Sequence, residues 1–227
     1  MKSLAVGVRV LSIALALVLL AISGCQFNND TKEGNNLETV EIREYEGVDL
    51  SSVDAFRENS IKGPQTIDIE SYSLSITGLC QEPKSYTYDE VIDGYTNYKK
   101  VSELHCVEGW RVTILWEGVL VRELIAQSSP LPEARVVIFH AYDGYTTSFP
   151  IEYIMDNDIL LAFKMNGLTL PAERGFPFHL VAESKWGYKW IKWVTKIELS
   201  DDIDYEGYWE SRGYSNTGDL DEGFYEG

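Results

Sequence analysis

The run Leu104-His105-Cys106-Val107-Glu108-Gly109-Trp110 places a cysteine directly before a turn-forming segment. A thiolate at Cys106 has two chemistries open to it, ligation of a soft metal and nucleophilic attack. Its neighbour His105 is a poor partner for the second, because adjacent residues of a strand point to opposite faces. A cysteine–histidine pair would have to draw on His140 or His179, far along the chain. Zinc is also a poor fit, since a tetrahedral site takes three or four protein ligands and no CxxC or HxxxH spacing accompanies Cys106. One sulfur suffices for a metal only when a cofactor brings the other ligands. The bland alternative is a disulfide to Cys80 in an oxidising compartment.

A second cluster lies at Lys185-Trp186-Gly187-Tyr188-Lys189-Trp190-Ile191-Lys192-Trp193, with Lys196 just beyond. It is the most basic stretch of an acidic chain. One reading is an ordinary strand with lysines reaching out to water. The other is a loop that grips a phosphate against a flat heterocycle, with lysine charge, tryptophan faces and Gly187 for close backbone approach. Arg174-Gly175-Phe176-Pro177-Phe178-His179, just upstream, adds two more polar groups. A soft thiolate together with an aromatic, basic anion site points to a large anionic metal cofactor.

The elements around these clusters read as a β-rich α+β domain. Strands are expected at Tyr72–Ile76, Val136–His140, Phe178–Ala182 and Ile191–Leu199, the last presenting Ile191, Trp193, Ile197 and Leu199 on one face. Leu160–Met165 leads into the hairpin signal Asn166-Gly167. Short helices are expected at Tyr88–Ile92, Val119–Gln127 and Ile151–Met155. With 227 residues, 44% of them hydrophobic, the chain has material for a substantial core. Its net charge of −17 speaks against nucleic acid as a partner and requires any anion site to be a local basic pocket.

Four regions follow. Residues 1–24 read as an export signal, with Lys2 and Arg9 ahead of the apolar run Leu11–Ile22. Ile22-Ser23-Gly24-Cys25 resembles a bacterial lipoprotein processing site, which implies lipidation of Cys25 and anchoring at the outer face of the cell membrane. Residues 25–52 are expected to form a flexible acidic tether, 53–199 the folded domain, and 200–227 an acidic, irregular tail that wraps the domain or is solvated.

Cys106-Val107-Glu108-Gly109-Trp110, Arg174-to-Leu180 and Lys185-to-Trp193 resemble three separated motifs of the sulfite oxidase family's molybdopterin-binding domain, in order and spacing, across about Phe56 to Leu199. The similarity is to the exported bacterial branch that includes periplasmic methionine sulfoxide reductase. It implies the sulfite-oxidase-type fold and one molybdenum held by Cys106 beside a molybdopterin. It implies cofactor contacts at Asn59, Ser60, Ala141, Arg174, His179, Trp190, Ile191 and Lys192. His179 departs from the family's usual arginine, and a neutral imidazole holds phosphate less firmly than a guanidinium. Arg111 and Tyr145 are weaker candidates on the substrate side.

The activity so implied is two-electron oxygen-atom transfer to or from a small oxo-acceptor such as a sulfoxide, an N-oxide or sulfite. No CxxCH haem motif is present, so electrons are expected to pass through a separate partner, a membrane cytochrome or a quinone-linked protein. The competing readings are a cysteine-nucleophile enzyme and a lipoprotein binding module that keeps the fold without catalysis.

Overall fold

The computed structural model describes residues 40–225; the segment expected to be an export signal, Cys25 and most of the expected tether lie outside the described residues. Strands β1 (Glu44–Tyr45) and β2 (Val48–Asp49) form a small hairpin. The body then runs β3 (Leu74–Gly78), β4 (Lys84–Tyr86), α1 (Tyr88–Gly94), β5 (Tyr98–His105), β6 (Arg111–Leu120), α2 (Val121–Ala126), β7 (Val136–Ala141), β8 (Thr146–Pro150) and α3 (Ile151–Asp156). It finishes with β9 (Leu160–Met165), β10 (Leu168–Thr169), β11 (His179–Val181) and β12 (Val194–Ser200). One sheet has the order β10-β9-β6-β5, with β11 also on β9; the other has the order β4-β3-β12-β7-β8. Only the β12–β3 pairing is parallel among these ladders. The β-rich α+β expectation matches this architecture.

Local chemistry sets the elements. β3 alternates, with Leu74 and Ile76 fully buried and Ser75 only partly so. Helix α1 starts on a capping box: the Thr87 hydroxyl accepts from Glu90 N, and the Glu90 carboxylate accepts from Thr87 N at 2.8 Å. β6 pairs with β9 through a register shift at Glu117/Gly118, where a Cβ on Gly118 would stand 2.4 Å from the Leu161 carbonyl oxygen. The core between the sheets is apolar and dense, with Ile114, Trp116, Leu124, Phe139, Phe149 and Phe178 at most 1% exposed. Burying each such side chain contributes about 1.5–3 kcal/mol.

Two expectations change. Ile191–Trp193 is not strand, and β12 begins only at Val194. Trp193 has φ +54°, a left-handed conformation that breaks an extended run. Its indole donates to the Ala172 carbonyl, and Ile191 accepts from Leu180 N, so the segment is tied to residues 172–180 instead. Residues 40–52, expected in the tether, are pinned to the body. Asn166, fully buried at the predicted hairpin turn, donates to Glu41 and to the Ser51 carbonyl and accepts from Leu115 N.

Among the described residues, the tail from Asp201 carries one 3-10 turn, Glu210–Arg212, and joins neither sheet. Tyr208 N donates to the Thr146 carbonyl, and Glu210 is buried.

Candidate active site

The β5–β6 hairpin closes at Cys106. Cys106 N donates to the Trp110 carbonyl, and Gly109 N donates to the Cys106 carbonyl with Gly109 at φ +89°. The hairpin thus presents the thiol at one end of a long antiparallel strand pair. The Sγ atom accepts from Glu108 N at 3.5 Å and from Asn59 Nδ2 at 3.6 Å. Both Cys106 and Cys80 are free, so the disulfide alternative is excluded. Burial pushes the Cys106 thiol pKa up, more than these two donors pull it down.

The thiol lines a cavity of about 430 Å³. Its walls come from residues 56–61, the Cys106 turn, the β7–β8 turn, residues 173–179 and the segment 187–193. Arg174 is buried; its Nε donates to the Val53 carbonyl and its Nη2 to the Phe56 carbonyl, both at 2.8 Å, and its guanidinium lies 4.0 Å from the Phe56 ring centre. Lys192 Nζ pairs with Glu58 at 2.5 Å. His179 Nδ1 stands 2.8 Å from the Arg174 carbonyl, which can only accept, so Nδ1 carries the proton and Nε2 the lone pair. Burial pushes the His179 pKa down to about 3, leaving it uncharged at neutral pH.

Three cavity-lining residues carry buried polar atoms with no hydrogen bond: Ser60 Oγ, Trp116 Nε1 and His179 Nε2. Native proteins leave few such atoms unpaired, and a cluster around one cavity marks a ligand site.

Residues 61–209 match the family described as the oxidoreductase molybdopterin binding domain. The chain belongs to that family. Relatives include the oxidoreductase YuiH of Bacillus subtilis, 31% identical over 69% of this chain and 78% of its own length. The catalytic subunit MsrP of protein-methionine-sulfoxide reductase from Xanthomonas campestris pv. campestris is 29% identical over 61% of this chain and 48% of its own length. This chain therefore spans about half the length of that relative. Among solved structures, the sulfane dehydrogenase SoxCD from Paracoccus pantotrophus superposes with a TM-score of 0.60 at 24% identity, over 63% of this chain and 42% of that one. It shares the fold.

A molybdopterin oxidoreductase needs a cavity for a phosphorylated ring system, and the residues present fit one. The volume lies in the range of ordinary cofactor and ligand pockets. A thiol, two buried or half-buried cations and orphaned polar atoms share its wall. The sequence suggests Gly187 as a place for close backbone approach to phosphate. The structure uses it against the protein itself, since a Cβ there would meet the His105 carbonyl oxygen at 3.0 Å and Cys106 Cα at 3.6 Å.

The residues singled out by sequence divide as follows. Asn59, Ser60, Cys106, Tyr145, Arg174, His179, Trp190, Ile191 and Lys192 all line the cavity. Ala141 does not; its backbone sits in the β7 ladder, while Asp143 and Tyr145 of the same turn reach the site. Arg111 is also away from the cavity, its side chain 72% exposed and paired with Glu103 at 3.1 Å. The Tyr145 hydroxyl donates to the Tyr188 carbonyl, and burial holds the phenol protonated. Of the four lysines in the basic run, only Lys192 lines the cavity. Lys185 pairs with Asp219, Lys189 with Glu210 and Lys196 with Glu198.

Sequence reading passed over Glu58, Asp143, Trp116, Trp209 and Tyr214, which also line the site. The aromatic density of the tail was the signal for the last two.

Proposed function

We propose that this chain reduces a small neutral oxide, a sulfoxide or N-oxide, by two-electron oxygen-atom transfer at a molybdenum held by Cys106. Bound there, the molybdenum cofactor supplies the oxygen-atom and electron chemistry. The net reaction takes two electrons and two protons per oxide and releases water with the deoxygenated product.

The observation that carries the direction and substrate is the charge of the cavity wall. Glu58, Glu108, Asp143 and Glu173 stand against Arg57, Arg174 and Lys192. Arg174 is already engaged by backbone carbonyls and Lys192 by Glu58. Arg57 is the remaining cation of a wall that carries four carboxylates, so a dianion such as sulfite gains little net attraction there, whereas a neutral oxide needs none. The resemblance to a methionine-sulfoxide reductase points the same way.

The protein's residues take distinct roles. Cys106 ligates the metal, and Asn59, donating to Sγ, orients it. Arg174 fixes residues 53–56 as a cavity wall. Lys192, Trp190 and Ile191 hold the phosphorylated ring, with His179 beside it as an uncharged acceptor. A cysteine nucleophile has little support: the thiol pKa is raised, His105 is held beside Glu103 and His140 by Glu198, and no hydrogen bond joins His179, the one histidine of the described residues that lines the cavity, to the Cys106 sulfur.

We place the enzyme outside the cell, lipid-anchored through Cys25, with electrons delivered by a separate membrane partner. The apolar run ending in Ser23-Gly24-Cys25 and the lack of a haem-attachment motif support this. Cys25→Ser should move the protein from the membrane pellet to the soluble fraction.

The decisive experiment uses protein matured with its cofactor, an artificial electron dye and a panel of sulfoxides, N-oxides and sulfite. Oxide reduction should dominate. Cys106→Ser should lower turnover by at least about a hundredfold while pterin content is largely retained. Preferential sulfite oxidation, absence of molybdenum from the matured protein, or unchanged turnover in Cys106→Ser would each sink the proposal.

A further inference from the structure

The family match ends at Trp209, and the cavity wall continues past it to Tyr214. Trp209 and Tyr214, on either side of the Glu210–Arg212 turn, line it from the C-terminal tail. Their ring centres lie 5.1 Å apart, and both residues are only half-buried.

These rings are fixed in place. Glu210, between them, is fully buried through its side chain, and its Oε1 accepts from Lys189 Nζ at 2.7 Å and from the Thr147 hydroxyl at 2.6 Å. Lys189 Nζ also donates to the Asn216 carbonyl, and the Tyr188 hydroxyl donates to the Ser215 carbonyl. Lys185 holds Asp219 further on. A tail fastened by this many buried polar contacts is a built wall.

Trp209 and Tyr214 line the same cavity as the Cys106 thiol. From Cys106 the contacts run to Gly187, packed against the Cys106 backbone, and then to its neighbour Tyr188. The Tyr188 ring meets Tyr214 at 5.1 Å, and Tyr214 meets Trp209. The cationic residues Arg174 and Lys192 are tied to other segments, at residues 53–58.

We infer that Trp209 and Tyr214 form the substrate-selecting wall, and that they favour oxides whose sulfur or nitrogen carries a flat, apolar group, such as an aryl methyl sulfoxide. This rests on the oxide reading of the site. Flat rings offer stacking and edge contacts to such a group, and sulfur itself packs well beside aromatic rings. The C-terminal end of the matched domain and the tail that follows it would thus set which oxide this chain takes, while the rest of the domain sets the chemistry.

The test reads binding, independently of turnover. Affinities of methyl phenyl sulfone and dimethyl sulfone, unreducible stand-ins, are measured by calorimetry on the cofactor-loaded full chain, with pterin content and melting temperature recorded for every variant. Wild type should prefer the aryl probe. Trp209→Ala should weaken the aryl probe about tenfold and the dimethyl probe less than about twofold, with Trp209→Phe restoring most of the difference. Tyr214→Leu checks the second ring should the tryptophan variant fold poorly. Equal loss for both probes, no loss, loss of cofactor instead, or tighter binding of a quaternary ammonium probe would overturn the assignment. If the wild type discriminates between the sulfones yet reduces no oxide, the oxide reading fails and the wall stands.

Discussion

Lys189 and Lys192 sit three residues apart in one basic run and live in different environments. Lys189 faces the tail; its side chain and that of Glu210 are both 0% exposed. Lys192 faces the cavity, half-screened, with Glu58 across from it. Burial pushes the pKa of both ammonium groups down, and a carboxylate pulls each back up. One lysine spends its charge fastening the C-terminal segment. The other keeps its charge where an anionic cofactor can compete with Glu58 for it. A run of positive charge in a sequence therefore states how much cation is present and leaves its purpose to the topology, which chooses the partner.

The largest expected effect breaks the tail-facing half. Lys189→Met leaves Glu210 buried without its cation and should destabilise the fold by about 3–5 kcal/mol in denaturant unfolding. The double variant Lys189→Met, Glu210→Leu should recover most of the loss, because well-packed apolar residues replace a buried ion pair at little cost. A single-variant loss under about 1 kcal/mol would mean that the pair is not desolvated as the geometry indicates.

Next comes the uncharged group of the cavity-facing half. An unfolded histidine takes a proton near pH 6.5, while native His179 does so only near 3. Between those values the unfolded chain holds the extra proton, so stability falls as pH falls, by about 1.4 kcal/mol per pH unit from this one residue. Above pH 6.5 it contributes nothing to the slope. Unfolding of apoprotein from pH 7 to pH 4 should show a shallower acid limb in His179→Gln. Parallel limbs would show that His179 is protonated in the native state, and so could serve a phosphate as a cation.

How far the sequence revealed this site depends on the reach of each contact. The Cys106 turn, the strands from Val136 and Leu160 and the Asn166-Gly167 hairpin are local patterns, and they are legible as such. The β5–β6 hairpin that presents Cys106 was missed, because Tyr98–His105 carries Lys99, Lys100 and Glu103 and lacks a clean apolar alternation. Arg174 was expected to grip phosphate, yet its guanidinium holds carbonyls 121 and 118 residues earlier. Glu58 meets Lys192 across 134 residues. No local period encodes pairs at such distances. Arg111, beside the cysteine motif in sequence, points out to Glu103 since strand alternation turns it from the cavity.

Lys192 gives a smaller effect of a different kind. Lys192→Met should leave the fold nearly intact, since its partner Glu58 keeps access to water, and should weaken cofactor retention about tenfold, the worth of one charge-assisted hydrogen bond. Pterin content after gel filtration measures it. If Lys192→Met lowers stability as much as Lys189→Met and leaves retention unchanged, the two lysines are equivalent and the contrast between the halves fails.

The smallest effect belongs to Lys196, the last lysine of the run. It lies on β12 with its Nζ 2.7 Å from Glu198, each side chain 34% exposed. Glu198 also holds His140 Nε2 at 2.8 Å, so the carboxylate keeps a partner when the lysine is lost. Water and salt screen a pair of this kind, and such pairs contribute about 0–1 kcal/mol. Lys196→Ala should therefore change unfolding free energy by less than about 0.5 kcal/mol and leave pterin content untouched. It is the control that separates charge from placement: the same residue type, in the same run, with neither a buried partner nor a cavity. A loss of cofactor on removing Lys196 would show that the run acts on the anion collectively, through its field, and that the individual geometry of Lys192 matters less than the summed charge of the run.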